Sequence, residues 1–508
     1  MNETLPATPI GAVPRIISRA DHNVSRSNIS GNALRVLYRL KEAGFQAFLV
    51  GGCVRDVMVG RHPKDFDVAT NALPDEVRKL FRNSRLVGRR FRIAHVVFGR
   101  EVIEVATFRA ASAPLPSEEP VPLADPEEGE APELDEESEL DDEAELNGID
   151  HERVLDTHGR LLRDNVYGSI DEDVWRRDFT VNSLYYNIAD FSLWDYVGGA
   201  EDIAARRLRL IGDPETRYRE DPVRMLRAAR FEAKLGFTLD PSTAAPIPRL
   251  RSLLAGVPAA RLFDETLKLF LTGHGERSLE VLRQRQLLEV LFPAVEHYLA
   301  AHPNGLVEQL LRQGLRNTDA RVAIDKPVTP TFLMALLLYG PIANAIESLP
   351  PQRWHELGAI VEACDRALRA ASTRVTIPRR VALGVREMYG LQPRLEQPRG
   401  KRALRLLEQP RFRSAFDLLM LRAQLGLAPA EIATWWTQLQ EAAPERRLEM
   451  LDTLAKPRGP KPIGARSGAA QGAAAAQGDT ESPAAADAGD APRPAHRRRR
   501  RRRFRGPA

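Results

Sequence analysis

From Asn32 the chain reads NALRVLYRLKEAG, with Leu34, Leu37 and Leu40 at helical spacing ahead of Gly44 as a stop. FQAFLVGG is a short apolar run ending in a glycine pair, which predicts a buried strand running into a turn. CVRDVMVG predicts a helical turn closed by Gly60, KDFDVAT a strand, and PDEVRKLF a helix opened by Pro74. FRIAHVVFG and REVIEVATF are β-rich runs meeting at Gly99-Arg100, a hairpin signal. A helix followed by a small, mainly antiparallel sheet is an α+β arrangement. Structure resumes near Leu155 and runs through RRDFTVNSLYYNI and DYVGGAEDIAARRLRLIG; from Asp213 the apolar pattern is helical throughout.

These patterns divide the chain. Residues 1–30, with Pro, Ser and Asn and little periodicity, read as a flexible arm, and residues 31–212 as an α+β head. Within the head, residues 111–150 hold sixteen carboxylates and no Lys or Arg, a composition that predicts a disordered acidic insertion. Residues 213–275 and 276–455 form two helical segments, and 456–508 a low-complexity, disordered tail ending in HRRRRRRRFRGPA. A length of 508 residues allows several domains and a sizeable core. Two cysteines exclude a disulfide framework and point to a reducing compartment. The longest clean apolar run, Phe332 to Leu338, is far short of the ~20 residues of a membrane span, and the N-terminus lacks a secretory pattern, so the expected location is cytoplasmic. The net charge is +4, but outside the acidic block and the nine arginines of the tail the chain is still positive by roughly ten charges, which favours a polyanionic partner.

The sharpest chemistry is LVGGCVRD followed by KDFDVAT. Side chains alternate along a strand, so Asp65 and Asp67 project together while Phe66 turns inward. Paired carboxylates repel unless a cation neutralises them, and two hard divalent ions, Mg²⁺ or alternatively Mn²⁺, do so through oxygen ligands. Gly51 and Gly52 let backbone approach a phosphate, with Arg55 as a charged donor. Alone, a D-x-D is equally an exposed strand end and a glycine pair an ordinary turn; together they favour a metal and triphosphate site. A two-metal site needs another carboxylate. Glu104, on VIEVATF, is one candidate and Asp178, in WRRDFTVNSLYY, another; the first reads equally as an edge position, the second as an ion pair or helix cap. The residues alone leave both open.

In EDPVRMLRAARF, Pro222 fits a helix start, and Asp221 and Arg224 stand three apart on one face that Arg227 and Arg230 continue. A carboxylate accepting from an adenine amino group beside a guanidinium donating to a ring nitrogen matches that base's edge, and the later arginines suit phosphates. Taken alone, the segment reads more plainly as surface ion pairs. RGKRALRLLEQPRFR supplies a basic groove for a nucleic-acid backbone, whereas Trp435 and Trp436 fit a core better than a stacking platform. Zinc spacing, a Walker A motif, G-x-G-x-x-G and nucleophile machinery are absent from the sequence.

LVGGCVRD, KDFDVAT, WRRDFTVNSLYY, DYVGGAEDI and EDPVRMLRAARF, in this order over residues 31–240, resemble the class II nucleotidyltransferases, the group of tRNA CCA-adding enzymes and bacterial poly(A) polymerases. NALRVLYRL, FRNSRLVGRRFRIAHVVFG, LLRDNVYGSIDEDVWRRDF, RFRSAFDLLMLRA and the Arg-rich terminus resemble the poly(A) polymerase branch. The resemblance implies a head, a neck over 213–275 for base recognition and an RNA-binding body over 276–455. It implies template-independent addition of AMP from ATP to the 3′ ends of mRNA and other transcripts, marking RNA for decay alongside RNA-decay proteins. It makes Asp65 and Asp67 the metal pair and Asp178 an active-site acid. Gly52, Arg55, Arg177, Arg227 and Arg230 become nucleotide contacts, and Asp221 and Arg224 the base-selecting pair. The acidic insertion is longer than the family pattern leads one to expect. CCA addition is the alternative activity, and a non-catalytic RNA-binding protein the alternative of another class.

Overall fold

A computed structural model describes residues 13–88, 92–110, 153–155, 161–164 and 166–452. The acidic insertion and the basic tail lie outside the described residues. The head contains β1 (Arg15–Ile17), α1 (Gly31–Glu42), β2 (Ala47–Val50), α2 (Gly52–Met58), β3 (Asp67–Thr70), α3 (Pro74–Leu80), β4 (Ser84–Val87), β5 (Ile93–Phe98) and β6 (Glu101–Thr107). A separate hairpin, β7 (Arg153–Leu155) and β8 (Leu161–Asp164), precedes α4 (Ile170–Arg176), β9 (Leu184–Asn187), β10 (Leu193–Asp195), α5 (Gly199–Ala204) and β11 (Arg207–Leu208). The neck opens with α6 (Pro214–Glu220), α7 (Val223–Leu235) and β12 (Thr238–Leu239). Fifteen further helices, α8 to α22, occupy residues 241–452. They include α10 (Ala259–Phe270), α14 (Leu306–Ala323), α15 (Pro330–Leu337), α16 (Tyr339–Glu347), α18 (Arg379–Glu396) and α20 (Phe412–Gln424).

The sheet is larger than expected: eight strands in the order β1-β10-β9-β2-β3-β6-β5-β4. Every pairing is antiparallel except β3 with β6, which run parallel. Part of the presumed loose arm is thus an edge strand, β1, hydrogen-bonded to β10. α1 starts where the Ser30 hydroxyl accepts from Ala33 N at 3.0 Å, and it buries Ala33, Val36, Leu37 and Leu40. The opposite face of the sheet is closed by Ile170 and Val174 of α4 against Phe48, Val50, Ala69, Phe108 and Tyr185. Central strands buried on both faces read as continuous apolar runs, which explains AFLV in β2.

The two-residue pair β11–β12 ties neck to head. In the body, the buried Arg422 of α20 donates to Glu396 and Gln392 of α18, to Tyr339 of α16 and to the Leu427 carbonyl, so a charged side chain organises the helices from within. Trp436 is fully buried and donates to the Leu395 carbonyl at 2.7 Å, a core role. No single described helix is long and apolar enough to cross a membrane; α15 and α16 together have the composition but bend by 48° and are buried. Both cysteines are free and buried.

Candidate active site

β2 runs into Gly51, whose φ of +82° suits glycine; a Cβ there would stand 3.4 Å from Asp67 Oδ2. The glycine turn therefore lies directly against the first residue of β3. Asp65 sits exposed just before β3, Phe66 is buried, and Asp67, the first residue of β3, is largely covered. Asp67 pairs in register with Glu104 across the parallel β3–β6 ladder. Glu104 Oε1 lies 3.6 Å from His95 Nε2. Burial first, then the Glu104 carboxylate and Asp65, push the Asp67 carboxyl up to about 6, with Arg177 opposing. Unrelieved repulsion among oxygen donors is what a hard cation removes, so the donor chemistry fits a divalent metal. Among the described residues, however, no three His, Cys, Asp or Glu side chains form a ready-made metal cage.

Asp178 is placed differently. Its Oδ2 accepts from Arg227 Nε at 2.8 Å and from Arg227 Nη2, and its Oδ1 accepts from Phe179 N at 2.8 Å and Asn182 Nδ2 at 3.2 Å. Burial opposes its ionisation, yet the Arg227 guanidinium prevails and holds the carboxyl at about 2. Both oxygens are thus committed to donors, and the residue clips α7 of the neck onto the head. Asn182 extends the chain by accepting from Arg55, whose Nε and Nη2 also donate to Asp56 at 2.9 and 2.6 Å. Arg55 is 2% exposed, so it braces this network rather than facing solvent as a phosphate donor. A Cβ on Gly52 would meet Arg55 Nη2 at 3.2 Å.

Arg177 donates to Tyr185 Oη at 2.7 Å and to Asp173 Oδ2 at 3.2 and 3.0 Å, and its guanidinium lies 5.1 Å over the Tyr185 ring. Arg230 stands 5.1 Å over the Phe231 ring and 4.0 Å from Glu265, and its buried Nε lacks a hydrogen-bond acceptor.

Asp221 and Arg224 are joined by a backbone hydrogen bond, Arg224 N to the Asp221 carbonyl at 3.0 Å, while their side chains also engage other partners. Asp221 caps the end of α6 with φ −147° and ψ 93°, outside α7. Its carboxylate receives both Nη groups of Arg261, from α10, at 2.9 and 2.7 Å. Arg224 donates to the Arg217 carbonyl at 2.7 Å and to Glu220 at 2.9 Å. Arg217 in turn donates to the carbonyls of Arg176 and Arg177, which joins this corner to the Arg-Arg-Asp motif.

Sequence reasoning missed Asn182, Tyr185, Asp173, Arg217 and Arg261. Asn182 and Tyr185 lie inside the quoted motif, but Arg261, forty residues beyond its partner, left no local signal. DYVGGAEDI contributes a capped turn: Asp195 accepts from the backbone of Val197, Gly198, Gly199 and Ala200. Arg399, Lys401, Arg402, Arg405 and Arg413 are exposed on the body, with Arg411 half-buried.

Residues 47–209 match the family model of the poly A polymerase head domain, 236–299 that of the probable RNA and SrmB-binding site of polymerase A, and 352–505 that of the polymerase A arginine-rich C-terminus. The poly(A) polymerase I of Salmonella typhi is 46% identical over 447 residues, covering 86% of this chain and 88% of that protein. The corresponding Haemophilus influenzae protein is 41% identical over 443 residues, 86% of this chain and 90% of its own length. The Bacillus subtilis CCA-adding enzyme is 36% identical over only 51% of this chain and 55% of its own. A solved tRNA-processing enzyme in an apo form shares the fold, with a TM-score of 0.53, 22% identity, and coverage of 84% of this chain and 98% of that one. The poly(A) polymerase likeness thus runs from the head through the neck and body, whereas the CCA-adding likeness stops at about half the chain, and the chain belongs to the bacterial poly(A) polymerase I family of nucleotidyltransferases.

Proposed function

We propose that this polyadenylating chain transfers AMP from ATP to the 3′-hydroxyl of an RNA, releasing pyrophosphate, with Asp65, Asp67 and Glu104 as the carboxylates that hold two divalent ions. The observation that carries this reading is the register of Asp67 against Glu104, with Gly51 pressed on the Asp67 carboxylate. Glu104 is preferred to Asp178 as the third ligand because both Asp178 oxygens already accept from Arg227, Asn182 and Phe179. When bound, Mg²⁺ or Mn²⁺ lowers the pKa of the attacking hydroxyl and neutralises charge developing on the phosphates. The chain's own groups bind and orient. Gly51 and Gly52 leave room for the triphosphate against backbone. Arg177, fixed by Asp173 and Tyr185, and Arg230, held over the Phe231 ring, supply positive charge to it. Asp178 keeps Arg227 and the neck in register with the head. Asp221 and Arg224 read the adenine edge, their side chains pre-set by Arg261 and Glu220. RNA tails made this way mark transcripts for decay.

Incubation with labelled ATP, CTP and a generic RNA tests the reading. A growing ladder from ATP alone is expected. Limited addition of C and A would support CCA addition instead, and absence of any product would support a non-catalytic RNA-binding protein.

A further inference from the structure

A cavity of about 530 Å³ opens in the body between α14, α15 and α20, within the size range of small-ligand sites. Phe332, Leu333, Met420 and Leu421 give it an apolar lining, and Arg321, Arg411 and Arg413 surround that lining against a single acid, Asp417. The Phe332 ring is half-buried at the start of α15, whose first turn is fixed by the Thr329 hydroxyl accepting from Phe332 N at 3.2 Å. Arg321 donates to the Pro327 carbonyl at 3.3 and 3.0 Å and so fastens the loop that forms one wall. Arg413 is 70% exposed on its side chain and pairs within its own helix with Asp417 at 3.2 Å. An aromatic face beside a cationic rim is complementary to a nucleotide, the base stacking and the phosphate meeting a guanidinium.

The same loop carries Asp325, which accepts from Lys64 Nζ at 3.0 Å. Lys64 immediately precedes Asp65, so one wall of the cavity is tied to the head beside the proposed metal carboxylates. Leu271, on another wall, belongs to the segment matching the family's probable RNA and SrmB-binding site. We propose that this cavity is a subsite for one nucleotide of the RNA upstream of its 3′ end, with the base against Phe332 and its phosphate at Arg413. This deepens the proposed function by giving the growing RNA a second anchor outside the reaction centre.

The test uses the full chain and a series of 3′-hydroxyl oligoadenylates, each lacking one base at a different distance from the end. For the wild type, one interior abasic position should weaken binding about tenfold, the loss of a single stacked base. Phe332→Leu and Arg413→Ala should bind intact RNA more weakly by a similar factor and lose the penalty at that position, with melting temperatures close to wild type. A penalty spread evenly over positions, or one that persists unchanged in both variants, would overturn the subsite. Unaltered RNA affinity in both variants would do the same and leave the cavity to a protein or small-molecule partner. Incorporation of labelled ATP by the wild-type chain is measured in parallel. If it proceeds while the abasic series shows no preferred position, the subsite fails and the polyadenylation reading stands.

Discussion

Asp67 and Asp178 show how one residue type takes opposite roles in one head. The Asp67 carboxyl titrates near 6, raised from 3.8 by burial and by Glu104, so the fold binds its proton more tightly than the unfolded chain does. Its charge therefore costs stability as pH rises through the window from about 4 to 6, and at pH 7 the cost is fully present, about 3 kcal/mol. Asp67→Asn should raise the melting temperature at pH 7 in metal-free buffer, with the gain gone by pH 4, while abolishing nucleotide addition. Added Mg²⁺ should stabilise the wild type and not the variant, because only a site that binds the ion gains from mass action. A variant no more stable than wild type, or equally stabilised by Mg²⁺, would remove Asp67 from the metal site.

Asp178 is depressed to about 2, so it contributes stability above pH 4 that is lost as pH falls toward 2. Asp178→Asn should cost about 2–3 kcal/mol at pH 7, measured by urea unfolding, with the difference from wild type narrowing below pH 4. Glu104→Gln, in contrast, should raise stability at pH 7 in metal-free buffer by part of the Asp67 cost, because it removes the facing charge, and weaken metal dependence. The D-x-D was legible because the strand period puts its two acids together. The division of labour between Glu104 and Asp178 was not, because it depends on Arg227 and Asn182 reaching Asp178 from other segments.

The helices α6 and α7 explain why a three-residue spacing misled. A residue before proline is pushed to extended backbone, so Pro222 ends α6 at Asp221 and α7 begins only at Val223. Arg224 N donates to the Asp221 carbonyl at 3.0 Å, but their side chains are gripped from different helices, Asp221 by Arg261 of α10 and Arg224 by Glu220 of α6. Arg261 of α10 grips Asp221 with both Nη groups, which fixes the carboxylate that the reading assigns to the base. Arg261→Met should lower the ratio of kcat/KM for ATP over CTP about tenfold, as Arg224→Ala should, since each disturbs one half of the recognition pair. If both efficiencies fall by the same factor in Arg261→Met, Arg261 only packs the neck. Elements with one buried face were read correctly from their periodicity, as with α1, α3 and the β5–β6 hairpin. β1 and β9 escaped because one is a three-residue edge and the other, LYYN, is covered on both faces and shows no alternation.

The charge of the whole chain sets how it meets RNA. The arginines of the body from Arg399 to Arg413 form a basic stretch within the described residues, and the nine arginines from Arg493 to Arg505 more than double it in sequence. Counterions released from single-stranded RNA steepen the salt dependence of binding by about 0.7 in log–log slope for each phosphate neutralised. The tail lies far along the chain from Asp65, Asp67 and the neck arginines, so we propose that it contributes to substrate capture rather than to chemistry. Deleting residues 456–508 should weaken RNA binding at low salt and flatten the slope in proportion to the contacts removed. It should leave kcat at saturating RNA close to wild type, because the proposed metal carboxylates and the proposed base-reading corner remain. Titrations of full-length and truncated chains with one RNA across several salt concentrations decide the matter. Parallel lines of equal height would mean that the body arginines alone carry the RNA. A slope that falls together with kcat would mean that the tail also orders the reaction centre.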